Sequence, residues 1–198
     1  MGIERDVFEW RRFGHWASSA EKARFAAYVL WRARDEATLG PIIRDFAYEN
    51  GDTSLAVSEA FRRESAIALE LIIKAVIAEQ MRARGANPAK EGPPAVHDIS
   101  SLWGQAKLPD LDRDDRYRLL LVTQTLMWSG RYPTPRTVKA WEAEDEAFDL
   151  LEGPPTIPGQ FRIRRPITVG WVEFDRLYQL AKAEISRAPI EEVTSRDV

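Results

Sequence analysis

The chain has 198 residues, of which 44% are hydrophobic and 30% are charged, with a net charge of −3 and a pI of about 5.6. This length and composition predict one globular domain that buries roughly 70% of its unfolded surface, and they exclude the low-hydrophobicity class of disordered proteins. The acidic balance excludes a global positive field that would gather nucleic acid or an anionic membrane, so any nucleotide site must be local.

Cysteine is absent, and histidine occurs only as His15 and His97. Disulfides, thiolate zinc sites and cysteine nucleophiles are therefore excluded, and the small histidine stock gives little support to a zinc site or a serine-triad hydrolase. We expect a cytoplasmic protein with no metal and no cofactor. The longest apolar stretch, Ala66 to Ala78, is interrupted by charges and too short to span a bilayer, so no membrane association is expected.

Helical segments separated by short clusters of Pro and Gly make up the whole chain. We predict a single all-α domain, an up-and-down helical bundle of four to five core helices with additional N- and C-terminal helices. The bundle core is placed at residues 19–151, a loop rich in Pro, Gly and Arg at 152–170, a C-terminal helix at 171–188, and a frayed end at 189–198.

The first predicted helix runs from about Ser19 to Thr38 and ends at Gly40-Pro41. We expect its large apolar side chains to form one broad packing face, and these are Phe25, Tyr28, Val29 and Trp31. The following segment, Ile42 to Gly51, is interpreted as a short helix.

The longest predicted helix runs from Ser54 to about Arg84, with Asp52, Thr53 or Ser54 as its cap and Gly85 as its terminator. Its apolar side chains cover about half of its circumference, so we predict that it is the central helix of the bundle.

A narrow polar stripe follows one edge of this helix, where Arg63, Glu70 and Lys74 stand at steps of seven and four. One interpretation is a solvated or intra-bundle stripe of ion pairs. The other is an edge that faces a ligand or a second subunit.

The second half of the chain predicts four further helices. Asp98 can cap a short helix that runs to about Ala106, and a largely apolar helix spans Asp112 to Trp128. A helix from Thr134 to Leu151 carries an acidic face that we interpret as solvated, with a magnesium site as the alternative. Trp171 to Arg187 is the last amphipathic helix.

Three short motifs occur in an order that suggests a family. Glu64 to Ile77 is an apolar helix that carries Glu70 and Lys74, His97-Asp98-Ile99 follows a Pro/Gly loop, and a buried helix ends in Arg131-Tyr132-Pro133. This arrangement, from Phe61 to Pro133, resembles the HEPN family (higher eukaryotes and prokaryotes nucleotide-binding). In that family a helix with Glu and Lys precedes a His-Asp-Leu turn and a later Arg-Tyr-Pro.

The resemblance implies a helical bundle that often forms homodimers and associates with nucleotides or RNA in bacterial defence and toxin–antitoxin systems. The partners it implies include a nucleotidyltransferase or an antitoxin. HEPN ribonucleases carry an Arg followed after four to six residues by a His, and neither His15 nor His97 is preceded in this way. We therefore expect a binding protein without the usual nuclease centre and assign no catalytic residue.

The candidate ligand-binding residues are those of the three motifs and the polar stripe: His97, Asp98, Arg131, Tyr132, Lys74, Glu70 and Arg63. For the His97-Asp98 pair the structural interpretation is a helix-start turn capped by Asp98, and the functional one is that His97 contacts a base or a phosphate. For Arg131-Tyr132 the alternatives are a buried Arg paired with a carboxylate beside a core Tyr, or a phosphate contact by the guanidinium.

Two functional hypotheses stay open at this point. The first is a HEPN-like protein that binds a nucleotide, RNA or a partner nucleotidyltransferase near His97, Arg131 and Lys74. The second is a homodimeric helical interaction module with no ligand. An atypical metal-independent ribonuclease is a further alternative.

Overall fold

A computed structural model of the chain describes residues 13–46, 52–87, 90–129 and 167–185. Within these ranges the regular elements are helices, and no strand is present. In chain order they are α1 (Phe13–Ala33), α2 (Glu36–Phe46), α3 (Thr53–Ala83), α4 (Ile99–Gln105), α5 (Arg113–Gln124), a π-helical turn (Thr125–Ser129) and α6 (Trp171–Ile185). The all-α prediction is confirmed, whereas the up-and-down order of the bundle stays a prediction. None of the described helices is long and apolar enough to cross a membrane.

Helix α3 lies at the centre of the described fold, because α1, α4, α5, the π-helical turn and α6 all contact it. Its start is fixed by Asp52, whose carboxylate accepts the backbone N–H groups of Ser54 and Leu55 at 2.8 and 3.2 Å. Its end is fixed by Gly85, which adopts a φ of 76° just beyond the last turn. The predicted helix and its terminator are therefore confirmed, and Asp52 is the cap among the three residues that the sequence offered.

Helix α6 packs its apolar side against α3, and its fully buried side chains are Phe174, Leu177, Tyr178 and Ala181. The ring of Phe174 meets the ring of Phe61 edge-on, with centroids 6.3 Å apart. Aromatic pairs of this geometry stabilise a core beyond the area that they bury. The last helix is therefore part of the same core as the central one.

Helix α1 packs against α3 through small side chains, and its buried positions are Ala20, Ala23 and Ala27. Phe25 and Val29 lie on the opposite side of α1, with Phe25 69% exposed. The prediction that the large apolar side chains form the packing face is therefore wrong for Phe25 and Val29. Tyr28 is partly exposed, but its ring packs on that of Trp171 in α6, with centroids 4.8 Å apart. The prediction holds for Trp31, whose ring lies 5.0 Å from that of Phe61. Alanines allow two helix backbones to approach closely, and this close contact determines which side of α1 is buried.

The break between α1 and α2 falls earlier than the sequence predicts. The Asp35 carboxylate accepts the Thr38 N–H at 3.1 Å and so caps α2. The helix then continues through Gly40 and Pro41 to Phe46, so the prediction that Gly40-Pro41 ends a helix is wrong. Pro41 lies in the second turn, where its missing N–H removes one backbone hydrogen bond near the helix start and leaves the later turns intact.

Buried Asp115 joins α5 to α6. Its carboxylate accepts a hydrogen bond from Arg118 Nη1 at 2.8 Å and another from the guanidinium of Arg176. Arg118 also donates from Nε to the Thr168 carbonyl at 3.4 Å, just before α6 begins. A buried carboxylate between two arginines satisfies the rule that buried charges are paired, and it fixes α6 beside α5.

Candidate functional site

Two oppositely charged side chains lie inside the apolar environment of α3. Glu70 and Lys74 are one helical turn apart, and Lys74 Nζ donates to Glu70 Oε1 at 2.6 Å. The Glu70 side chain is 10% exposed and that of Lys74 is 5% exposed. A charge-assisted hydrogen bond of this length is strong, and neither charge would be tolerated at this depth alone. For these two residues the intra-bundle ion pair is the interpretation that the structure supports.

His97 reaches the same carboxylate from the loop before α4. Its Nδ1 lies 3.1 and 3.2 Å from the two carboxylate oxygens of Glu70, while 54% of its side chain remains exposed. The next residue, Asp98, caps α4 by accepting the Ser101 N–H at 3.0 Å. The cap fixes the direction of the backbone as it enters α4. Because His97 directly precedes the cap residue, the position of its backbone is fixed as well.

Helix α1 contributes Trp16 to the other side of the ion pair. Lys74 Nζ lies 5.6 Å from the centre of the Trp16 ring, a distance at which a cation is attracted to the aromatic face. The Trp16 indole N–H is buried, and no described residue offers it a hydrogen-bond partner. Sequence analysis missed this residue, because the first helix was predicted to begin after it, at Ser19.

The geometry assigns a distinct task to each nitrogen of His97. Nδ1 faces a carboxylate, which is an acceptor, so Nδ1 carries a hydrogen. Nε2 is then an acceptor when the imidazole is neutral and a second donor when it is protonated. Lys74 neutralises Glu70, so a proton on His97 gives the cluster of three residues a net positive charge. Such a cluster can hold an anion or exchange a proton at Nε2.

The remaining predicted site residues do not join this cluster in the described parts of the chain. Arg63 is exposed two turns before Glu70, and its nearest acidic partner is the adjacent Glu64, at 3.8 Å. Arg131 and Tyr132 lie outside the described residues. In the ranges that the structure describes, no three His, Asp or Glu side chains group closely enough to hold a metal ion.

The chain was compared with protein-family models, with curated proteins and with solved structures. None of the three comparisons finds a match. The HEPN resemblance therefore stays a prediction that rests on the three motifs. What the structure adds is that the first two of these motifs meet at Glu70 and His97.

Proposed function

We propose that this chain binds a phosphate group of a nucleotide or of RNA at His97, as a HEPN-like binding protein without the usual nuclease centre. The observation that supports this most directly is the half-exposed imidazole fixed by a buried carboxylate that is itself neutralised by a lysine. A histidine whose only role was to fill the core would be buried. A histidine whose only role was solubility would not have a buried carboxylate as its partner.

A phosphate is the ligand best suited to this arrangement. When the imidazole is protonated, Nε2 can donate a hydrogen bond to a phosphate oxygen, and the cluster of three residues then has a net positive charge beside a side chain that is 54% exposed. The chain as a whole is acidic, so a local positive site is what a polyanion needs here.

Glu70 and Lys74 act as positioning residues in this proposal. Lys74 is almost fully enclosed and already donates to Glu70, so it does not reach a ligand at the surface. Its contribution is to pair with the Glu70 carboxylate inside the core, and Glu70 in turn holds the ring of His97 in one orientation. Arg131 and Tyr132 are added to this site on the sequence motif alone.

The test measures binding of an RNA oligonucleotide that carries a rhodamine dye, by fluorescence anisotropy at low and at high salt concentration. Contacts to phosphate groups weaken as the salt concentration rises. We expect salt-dependent binding in the wild type, and weaker binding in His97→Gln. His15→Gln removes the other histidine and should leave the affinity unchanged.

Equal affinity of the wild type and His97→Gln at both salt concentrations would refute the proposal. Arg131→Ala is expected to weaken RNA binding without lowering Tm, as the sequence motif implies. Cleavage of the RNA by the wild type but not by His97→Gln would identify the atypical ribonuclease instead.

A homodimeric interaction module is the second candidate, and one observation favours it. Phe25 and Val29 are exposed on the side of α1 that faces away from α3, and α2 exposes Ile42 and Phe46. Exposed apolar side chains of this number are typical of surfaces that are covered by another molecule. Light scattering at micromolar concentration should then give a dimer that Phe25→Ser with Val29→Ser converts to a monomer. A wild-type monomer would rule this candidate out.

A further inference from the structure

A cleft of about 860 Å³ lies between α4 and α5, and His97 is not among the residues that line it. Its volume is within the range of about 300 to 1,000 Å³ that small-molecule sites occupy. The walls are largely apolar, and the side chains that form them include Trp103, Leu108, Leu111, Leu119 and Leu120. An apolar cleft of this size suits the body of a small organic molecule.

Two basic side chains stand among these apolar walls. Lys107 and Arg116 both line the cleft and are exposed, and neither side chain has a hydrogen-bond or ion-pair partner in the described part of the chain. The cleft also has two acidic residues. Asp98 is occupied by its cap to Ser101, and Asp110 is exposed. Among the residues that the structure describes, the two cations are therefore available to a ligand.

The backbone of Lys107 is unusual, because its φ is 52°. Lys107 follows the last turn of α4, where its N–H donates to the Gly104 carbonyl at 3.0 Å and the Leu108 N–H donates to the Trp103 carbonyl at 3.2 Å. This pair of bonds is the Schellman motif, in which the residue at the position of Lys107 is left-handed and is usually glycine.

The end of α3 shows the same motif with the usual residue. Gly85 has a φ of 76°, its N–H donates to the Arg82 carbonyl, and the Ala86 N–H donates to the Met81 carbonyl. A lysine in this conformation is less stable than a glycine, because its Cβ crowds the backbone. Strained residues of this kind are found at binding sites, where the side chain serves a purpose other than stability.

We propose that the cleft between α4 and α5 binds a small organic anion, with its aromatic or aliphatic body against Trp103 and its anionic group paired with Lys107 and Arg116. The apolar walls exclude water from the body of the ligand, and the two cations select its charge. This site is independent of the one proposed at His97.

Two fluorescent probes separate the apolar contribution from the charged one. 8-Anilinonaphthalene-1-sulfonate carries a sulfonate, and N-phenyl-1-naphthylamine has the same aromatic body without it. The wild type is expected to bind both, and to bind the sulfonate more tightly. Arg116→Gln and Lys107→Gln should each weaken the binding of the sulfonate probe about three- to fivefold, as expected for exposed charge pairs. The affinity for the neutral probe should be unchanged. Lys22→Gln, an exposed lysine of α1, is the matched control.

Blocking the cleft distinguishes it from other apolar surface. Gly104 lines the cleft, and a Cβ at this position would meet no atom within 4 Å, so Gly104→Phe is expected to fold. This variant should lose the binding of both probes. Retention of both probes in folded Gly104→Phe would overturn the proposal, as would equal affinity of the sulfonate for the wild type, Lys107→Gln and Arg116→Gln.

Lys107→Gly provides a test in which stability and binding change in opposite directions. Glycine relieves the left-handed strain, so Tm should rise by about 2–4 °C. The same variant should bind the sulfonate probe as weakly as Lys107→Gln does. Lys107→Gln is the comparison because it removes the charge and keeps the left-handed backbone strain. If Lys107→Gly were more stable and bound the sulfonate as well as the wild type, Lys107 would have no role in the cleft.

Discussion

Replacing Lys74 by methionine removes the ammonium that neutralises Glu70 and keeps most of the side-chain volume. With Lys74 only 5% exposed and Glu70 10% exposed, little water can reach the carboxylate that is left behind. Removing one partner of a buried ion pair costs about 3–5 kcal/mol of unfolding free energy. We expect a loss of about 3 kcal/mol, at the lower end, because Glu70 keeps its hydrogen bond to His97.

The companion variants separate the charge from the packing. Glu70→Leu leaves the Lys74 ammonium enclosed beside Trp16 and should cost a similar amount. The double variant, Glu70→Leu with Lys74→Met, leaves no unpaired charge, and its stability should be within about 1 kcal/mol of that of the wild type. The two substitutions are therefore expected to be strongly non-additive.

Urea denaturation followed by circular dichroism measures these free energies. Lys182→Met is the matched control, since Lys182 pairs with Glu21 where both side chains are more than 40% exposed, and its loss should be at most about 1 kcal/mol. A loss of that small size in Lys74→Met would show that the Glu70–Lys74 pair is exposed to water, and the reasoning would fail. A double variant as unstable as the sum of the two single losses would refute it equally.

Three further variants test other buried or capping groups. Hydrogen bonds from Ser54 and the following backbone N–H lower the pKa of Asp52, so its stabilisation is present above the pKa of an unfolded aspartate and is lost as the pH falls. The Tm difference between the wild type and Asp52→Asn should therefore be smaller at pH 3 than at pH 6. A larger Tm difference at pH 3 would refute this expectation. Ser65→Ala should raise stability by about 1 kcal/mol in urea denaturation, because the Ser65 hydroxyl is buried without a partner among the described residues; a loss would show that it is bonded. Asp115→Asn should cost about 2–3 kcal/mol by the same measurement, whereas Asp114→Asn, at a side chain that is 50% exposed, should cost little.

The parts of the fold that sequence reasoning found are those that local chemistry decides. A capping carboxylate and a terminal glycine act within one turn of the helix that they bound. The predicted span Ser54 to Arg84 therefore differs by one residue at each end from the observed Thr53–Ala83. The cap at Asp98 was found for the same reason.

Where packing between distant segments decides, the sequence was misleading or silent. The buried side of α1 consists of alanines, which carry little weight in a hydrophobic pattern beside Phe25 and Val29. At the site, the Glu70–Lys74 contact follows from a spacing of four residues. The contact of His97 with Glu70 depends on how a loop 27 residues later returns to α3, and no local signal specifies that path.

The Asp115 cluster and the buried side of α6 have a consequence for how the protein tolerates breaks in its backbone. Both sets of contacts join α6 to helices that lie far from it in sequence, and both are made by residues outside the segment that connects α5 to α6. A chain cut once between these helices is therefore expected to remain a non-covalent complex. Helix α6 could then be supplied as a separate peptide, which would allow labels or altered side chains to be introduced opposite α3 by simple mixing.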